Sequence, residues 1–515
     1  MEMNVQVVLF LIAVCICFLL SYVQTHQLAG CGTDHKVHRF LANVIRENRH
    51  RLFVKVPRLL NEAPCTTGPL FLDWILSFLN ESQIEMIAQF LNPLINSAVI
   101  AAIFITVRRS PQIAPIAGWA SLGLALTPQF YHAYSARNYG LSARPIGVLL
   151  FTLICINLVG PAELSWKWPH LVVPLMIGYL IWGFSTFTQQ IFTFMSLIMG
   201  LLFKDWRMAF IWLGSVMVFI AVNPKYSVYY LKYTLLSIKT YATDLAAVFI
   251  NKQRYSIWRD LVYDIWQRIF KNRKSGLMYA YGNAVLIVTL LNPLMLIAVS
   301  SWFIMRSSSN PAIGGWEKLT LSGFGIFMMT TFRMTRFLGE PERYVEIISP
   351  VAAVVGVYVL YYRFGMTVML SLLGYCACAD AAQIVLSGEL ARRLKKKDSG
   401  LAPIREVINV EFGPEPVRFC SNDEQVTKYF MTAPWEFARI WSAEQSFGGV
   451  RAREAFSEFP FIRQGPFETV LRQYRINACV LVRDNFDEIF HGSDDARRLK
   501  LLSESDQYRV YRIHW

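Results

Sequence analysis

The stretch PHLVVPLMIGYLIWGFSTFTQQIFTFMSLIMGLLF, Pro169 to Phe203, carries no aspartate, glutamate, lysine or arginine, and the next charge is Lys204. A helical membrane crossing takes about 20 apolar residues, so the stretch reads as two spans, 169–186 and 187–203. Nothing charged marks their division, and a single merged span would invert the sidedness of everything downstream. Working outward, apolar runs stand at 5–23, 91–107, 112–130, 145–161, 208–222, 277–305, 318–332, 347–361 and 365–386. Together they predict a mainly α polytopic transmembrane bundle of about eleven spans, an odd number that puts the termini on opposite sides.

Composition agrees. Of 515 residues, 54% are apolar or aromatic and 17% are charged, against about 25% charged in soluble chains. Soluble-enzyme and nucleic-acid-binding classes start far behind on that ground. The first run, Val5 to Val23, follows Met-Glu-Met-Asn, which has no base, and so reads as an uncleaved span rather than a signal peptide. Leu28-Ala29-Gly30-Cys31 has the letters of a lipidation box, but polar Gln24–Gln27 separates it from the apolar core. After Gly388 the chain changes character. The expected domains are a membrane part, 1–390, a basic hinge, 391–399, and a soluble α/β unit, 400–515. Pro416–Ser421, Ala478–Val482 and Tyr508–Ile513 read as strands, with helices over 423–431 and 467–474. The tail has no GxGxxG or P-loop, so no nucleotide cofactor is expected.

The net charge of +14 is anomalous for so apolar a chain. Two loops explain most of it. In 34–62, within the first loop (23–90), seven bases including Lys36, Arg39 and Arg46 face three acids; in the aromatic-rich loop 223–276, ten bases face three. Both fall on one side of the eleven-span scheme, which suggests a shared anionic partner. In the first loop Val37, Phe40, Leu41, Val44 and Ile45 form a helical apolar stripe, with Arg39 and Arg46 opposite. Such a helix is expected in the membrane interface, its bases near headgroups; a solvated basic face is the plainer reading. The second loop's tyrosines and tryptophans suit an interfacial hairpin with an aromatic belt. Positive-inside counting leaves orientation undecided, because the basic hinge opposes the placement of the loops outside.

Several motifs, in order, resemble the GT-C glycosyltransferases, of the protein mannosyltransferase or lipid A aminoarabinose transferase kind. Gly32-Thr33-Asp34-His35-Lys36-Val37-His38 resembles their first outer loop, and Thr67-Gly68-Pro69-Leu70-Phe71-Leu72-Asp73-Trp74-Ile75 their segment leading into a short helix. Tyr131–Gly140 is similar to the loop after their third span, and Phe337–Tyr344 to their late outer turn. The resemblance implies an integral-membrane, inverting enzyme that transfers a sugar from a polyprenyl-phosphate donor to an envelope glycan, lipid or protein in polysaccharide biosynthesis. It implies a multi-pass protein of the inner (plasma) membrane, with loops and tail extracytoplasmic.

Carried over by position, Asp34 matches the catalytic base, with the plain alternative that it caps the helix after it. His35 and His38 are candidate assistants or metal ligands. Arg343, with Arg333, Arg336 and Tyr344 nearby, is expected to contact the donor phosphate, since a guanidinium suits phosphate bidentately. Many relatives carry an acid after the third span. That turn here holds His132, Arg137 and Tyr139 but no carboxylate, so Glu340 or Glu342 is the substitute, and a divalent metal is left open. The absence of a WWDYG signature argues against en bloc glycan transfer. The competing class, a transporter or flippase for an anionic lipid-linked substrate, would need paired ionisable residues at midplane and internal repeats; neither is evident. Asp380, alone in an apolar run, reads as a helix-end or bundle hydrogen-bonding group, and Cys376 and Cys378 beside it as packing. Cys31 with Cys65, and Cys420 with Cys479, would pair if their segments face an oxidising space.

Overall fold

The structure, a computed structural model, describes residues 2–27, 33–54, 60, 69–131, 140–159, 168–240, 284–304, 311–332, 335, 338, 341–423, 426–427, 429–430, 438–440, 456–458, 461–462, 464–482, 498–505 and 508–515. It is a helical bundle with a small sheet at the C-terminal end. Helix α1 (Glu2–Gln27) lies along α4 (Glu81–Arg109) and α5 (Ala117–Ala125). Between them come α2 (Thr33–Glu47) and the short α3 (Phe71–Leu76). A reciprocal Asn80–Gln83 capping box starts α4. Next is α6 (Arg144–Val159), packed on α4.

The long uncharged stretch does divide. Helix α7 (Trp168–Phe184) stops at Ser185, whose extended backbone and side-chain oxygen, accepting from the Thr188 amide, cap α8 (Thr186–Phe203). Serine therefore supplies the break that no charge supplies. Gly147 of α6 presses into this corner; a Cβ there would meet Thr188 Oγ1. Helices α9 (Arg207–Val222) and α10 (Pro224–Thr240) follow, so the described beginning of the second basic loop is helical.

The expected span 277–305 is broken near its middle. Its described part is two helices, α11 (Ala284–Leu291) and α12 (Pro293–Ile304), bent by 92°. Pro293 cannot donate into the preceding turn. Asn292 then caps the second helix by accepting from the Met295 amide at 3.1 Å and donates to Ser349 at 2.8 Å. Beyond α13 (Pro311–Thr330), α14 (Glu342–Val359) is the bundle's axis, buried from Arg343 to Val359 and packed against α5, α6, α12 and α13. A π-turn, Leu360–Phe364, leads to α15 (Met366–Phe412). The expected hinge 391–399 lies inside this unbroken helix. Among the described residues five helices are long and apolar enough to cross a membrane, with the bent pair as a sixth; four shorter apolar helices accompany them.

The tail holds β1 (Val417–Ser421), β2 (Ala438–Ile440), β3 (Phe456–Glu458), β4 (Phe461–Ile462), α16 (Gln464–Gln473), β5 (Ala478–Val482), β6 (Leu499–Glu504) and β7 (Tyr508–Ile513). Five strands form one sheet in the order β2-β1-β5-β7-β6, with β1 parallel to β2 and β5, and β7 antiparallel to β5 and β6. Cys420 and Cys479 are buried register partners in the parallel β1–β5 pair, but no disulfide joins them, so that candidate bond is corrected. Cys31 and Cys65 lie outside the described residues.

The membrane-interface placement of α2 is also corrected. Phe40 and Val44 of its stripe pack in one core with Leu401, Ile404 and Phe412 of α15 and with Phe419, Val480 and Val510 of the sheet. Protein rather than lipid covers the stripe, because the tail offers apolar area at the same level. First loop and tail therefore share a side, which an odd number of crossings requires.

Candidate active site

The polar face of α2 meets α3 and the N-terminal end of α4. Arg39 pairs with Glu81 at 2.6 Å and Glu85 at 2.8 Å, and Asn43 donates to Glu81 at 2.9 Å. Arg46 donates to the carbonyls of Ser77 and Leu79. These bases thus serve protein contacts instead of headgroups. Each half-exposed pair alone is worth little, but together they fix the helix's rotation while its other face is held by the tail.

That rotation aims two histidines inward. Nδ1 of His38 lies 2.6 Å from Oδ1 of Asp73 on α3, a carboxylate only 1% exposed. Burial pushes the Asp73 carboxyl above its ordinary range, while the charge and hydrogen bond of His38 pull it back. Helix α3 is itself held from behind, the Leu70 amide donating to the Tyr226 hydroxyl at 3.3 Å. His35 is buried; its Nδ1 accepts from the Leu141 amide at 3.3 Å, and its Nε2 is 3.5 Å from Glu85. An accepting Nδ1 puts the proton on Nε2, toward the carboxylate. Gly140, at φ +84°, lets the chain pass this close, since a Cβ would sit 2.8 Å from His35 Nδ1. Asn92 secures the turn by donating to the Gly140 carbonyl at 2.9 Å.

The same turn reaches the late-loop arginine. Residues 140–143 feed α6, whose first residue, Arg144, places its guanidinium 5.1 Å from the Phe187 ring centre. Arg343, at the start of α14 and buried, stands 4.5 Å from the same ring. Backbones of Leu141 and Arg144 are at most about 11 Å apart, so one short segment joins the His35 environment to a pair of guanidiniums. Tyr344 is buried, its hydroxyl 3.1 Å from Gln190 Oε1. The Glu342 carbonyl accepts from Gln129 at 2.8 Å.

Of the expected site residues, His35, His38, Glu342, Arg343 and Tyr344 are thus placed. Asp34 lies in the first turn of α2, but its side chain falls outside the described residues. Arg333, Arg336, Glu340, His132, Arg137 and Tyr139 also lie outside them. Sequence reading missed the part played by Asp73, Glu85, Arg144 and Phe187. Asp73 could have been suspected, as an acid among Leu72, Trp74 and Ile75 at the head of a short apolar helix. Among the described residues no three of histidine, cysteine, aspartate and glutamate converge to hold a metal. His35 has both nitrogens engaged, while His38 gives Nδ1 to Asp73.

No protein-family model and no curated protein matches the sequence. Solved structures do match. ArnT from Cupriavidus metallidurans bound to undecaprenyl phosphate aligns with TM-score 0.56 and 12% identity over 97% of both chains. An Archaeoglobus fulgidus oligosaccharyltransferase complexed with Zn and sulfate aligns with TM-score 0.50 and 12% identity over 91% of this chain and 68% of that one. The same enzyme tethered to an acceptor peptide containing the NVT sequon gives 0.51, at 12% identity over 92% and 69%. Both proteins are of the GT-C superfamily. The expectation drawn from the loop motifs holds at the level of architecture: over nearly its whole length the chain has the GT-C fold.

Proposed function

We propose that the chain is an inner-membrane glycosyltransferase with eleven crossings, the bent α11–α12 pair counting as one. It takes a sugar from a polyprenyl-phosphate donor and gives it to an envelope glycan, lipid or protein at the extracytoplasmic face. The observation that carries the reading is the turn 140–144, which links the first-loop helix bearing Asp34, His35 and His38 to Arg144 and Arg343. One short segment thus runs from His35, next to Asp34 in sequence, to two guanidiniums, which supports a base and phosphate-binding cations acting together, as transfer from a lipid phosphate requires. A structural neighbour solved with undecaprenyl phosphate supports the donor class.

In the proposed step Asp34 takes the proton of an acceptor hydroxyl as that oxygen bonds to the anomeric carbon from the face opposite the phosphate. The carbon–oxygen bond to phosphate breaks, and the polyprenyl phosphate leaves with the electron pair. Arg343, with Arg333 and Arg336 earlier in the same late loop, stabilises the leaving charge, and Tyr344 backs it. Glu340, Glu342, His132, Arg137 and Tyr139 bound the acceptor side. The experiment is transfer in membranes from a panel of radiolabelled polyprenyl-phosphate sugars to endogenous acceptor. Asp34→Asn is expected to lower transfer by about 10²-fold or more while the protein stays folded. Wild-type transfer by both Asp34→Asn and Arg343→Ala would discard the reading.

A further inference from the structure

Helix α15 keeps two unlike faces along its length. One is covered throughout: Met369, Cys376, Gln383, Ala391, Leu401 and Ile408 are buried and fall on one side of the helix. In the bundle this side packs on α1, and beyond it in the core shared with α2 and the sheet. Asp380 lies on it too, buried with no hydrogen-bond partner for its carboxyl among the described residues, so the helix-end or bundle hydrogen bond expected of it is corrected. The opposite face is bare. Tyr375, 43% exposed, and Val385, 71% exposed, present an apolar surface there. Arg392, 78% exposed, Arg393, 69% exposed, and the exposed Lys396 continue the same side. Apolar and basic residues thus follow one another on a single stripe, with no break in the helix between them.

The change from apolar to basic falls at the membrane surface. A Cβ on Gly388 would lie 3.6 Å from Nε2 of Gln27, the last residue of α1, just past the apolar run that ends at Val23. Arg392 and Arg393 are about one turn farther, roughly 6–8 Å along the axis, which is the depth of a headgroup layer. Helical side chains lean toward the N-terminus. For α15 that direction is back toward the bilayer, so the long bases reach the headgroup level. Glu389 pairs with Arg392 at 2.9 Å and with Arg393 at 3.0 Å. Exposed pairs of this kind hold little, and one carboxylate against three bases leaves the face positive. A stripe that is apolar below and cationic above matches a lipid with an apolar chain and an anionic phosphate, and each base near such a surface adds about fivefold in affinity.

We propose that Arg392, Arg393 and Lys396 bind the headgroups of anionic phospholipids in the leaflet from which α15 emerges. The contact sets the height of α15 in the bilayer, and with it the height of the tail and of α2, which share its core. It rests on the helix face alone and does not depend on the transfer reaction proposed above.

The test uses the full-length protein in phosphatidylcholine nanodiscs carrying a trace of spin-labelled phosphatidylglycerol or spin-labelled phosphatidylcholine. The fraction of each label immobilised by the protein is read from its spectrum. Wild type is expected to prefer phosphatidylglycerol. Arg392→Gln, Arg393→Gln and Lys396→Gln together should lower that preference at least about threefold, and the gap between wild type and variant should close in 1 M salt. Arg392→Lys with Arg393→Lys keeps the charge and should keep the preference. Equal affinity for the two lipids in the wild type, a preference undiminished in the glutamine variant, or its loss in the lysine variant overturns the site. Displacement of labelled phosphatidylglycerol by an equimolar amount of polyprenyl phosphate would also overturn it, giving the face to the donor.

Discussion

His38 Nδ1, on the helix of the first loop, lies 2.6 Å from Oδ1 of Asp73, a buried carboxylate 35 residues downstream. The pair fixes the imidazole's rotamer one turn after Asp34, on the same side of α2. Asp73→Asn keeps the shape but weakens that hold. Turnover is expected to fall roughly ten- to hundredfold, the scale of a small misplacement, with donor KM little changed. Steady-state transfer in membranes decides it, and an unchanged kcat would remove Asp73 from the site.

Gly140 occupies a backbone region that L-residues avoid and has His35 against it. Gly140→Ala adds about 1–2 kcal/mol of backbone strain and forces the imidazole aside. Tm of the purified protein should drop by several degrees and transfer should fall with it. A variant as stable and as active as the wild type would mean that the turn is not held as described.

Arg343 stacks on Phe187, which Arg144 also approaches. Arg343→Lys keeps the charge but loses the planar fork and the stacking. Donor KM should rise roughly tenfold, the weight of a charged hydrogen bond, in transfer assays at varied polyprenyl-phosphate sugar. If KM is untouched while acceptor dependence changes, the arginine belongs to the acceptor.

Phe40 joins α2 to the tail and is buried with Ile404, Phe412 and Val510. Phe40→Ala removes a core aromatic, a loss of about 3–5 kcal/mol, falling on the α2–tail contact. Limited proteolysis should then cut within the first loop or the tail at rates well above wild type. Equal cleavage rates would argue that the two segments part freely already.

Glu411, near the end of α15, accepts from Lys500 at 2.9 Å and from Arg512 at 3.3 Å, and these cations hold its carboxyl below the ordinary value of 4.5. The unfolded chain then binds more protons in that range. The contribution is complete above about pH 4.5 and fades as pH falls through the depressed value. Glu411→Gln should lower the tail's Tm slightly at neutral pH, with the difference shrinking in acid. A gap constant from neutral to acid pH would show that the carboxylate's charge is not what matters.

Much of this was legible along the chain, because span-length apolar runs and a stripe at helical spacing are local patterns. The runs became helices, and three expected strands appeared as β1, β5 and β7. The division expected between 186 and 187 falls at Ser185, and its cause, a serine cap, was not legible. Partners were not legible. The stripe of α2 said that something apolar would cover it, and lipid and the tail satisfy that requirement equally. The partner of His38 could not be read either, since a contact across 35 residues leaves no periodic trace.

By itself the sequence determined a polytopic helical membrane protein with a small α/β tail, and its loop motifs pointed to the GT-C fold. Hydropathy and periodicity act residue by residue, so they survive without knowledge of the rest of the chain. Tertiary structure alone decided that α2 is clamped between α3, α4 and the tail, that Gly140 opens room for His35, and that Asp380 is buried with no hydrogen-bond partner among the described residues. Those facts depend on which surfaces meet, and burial and pairing exist only once distant segments are brought together.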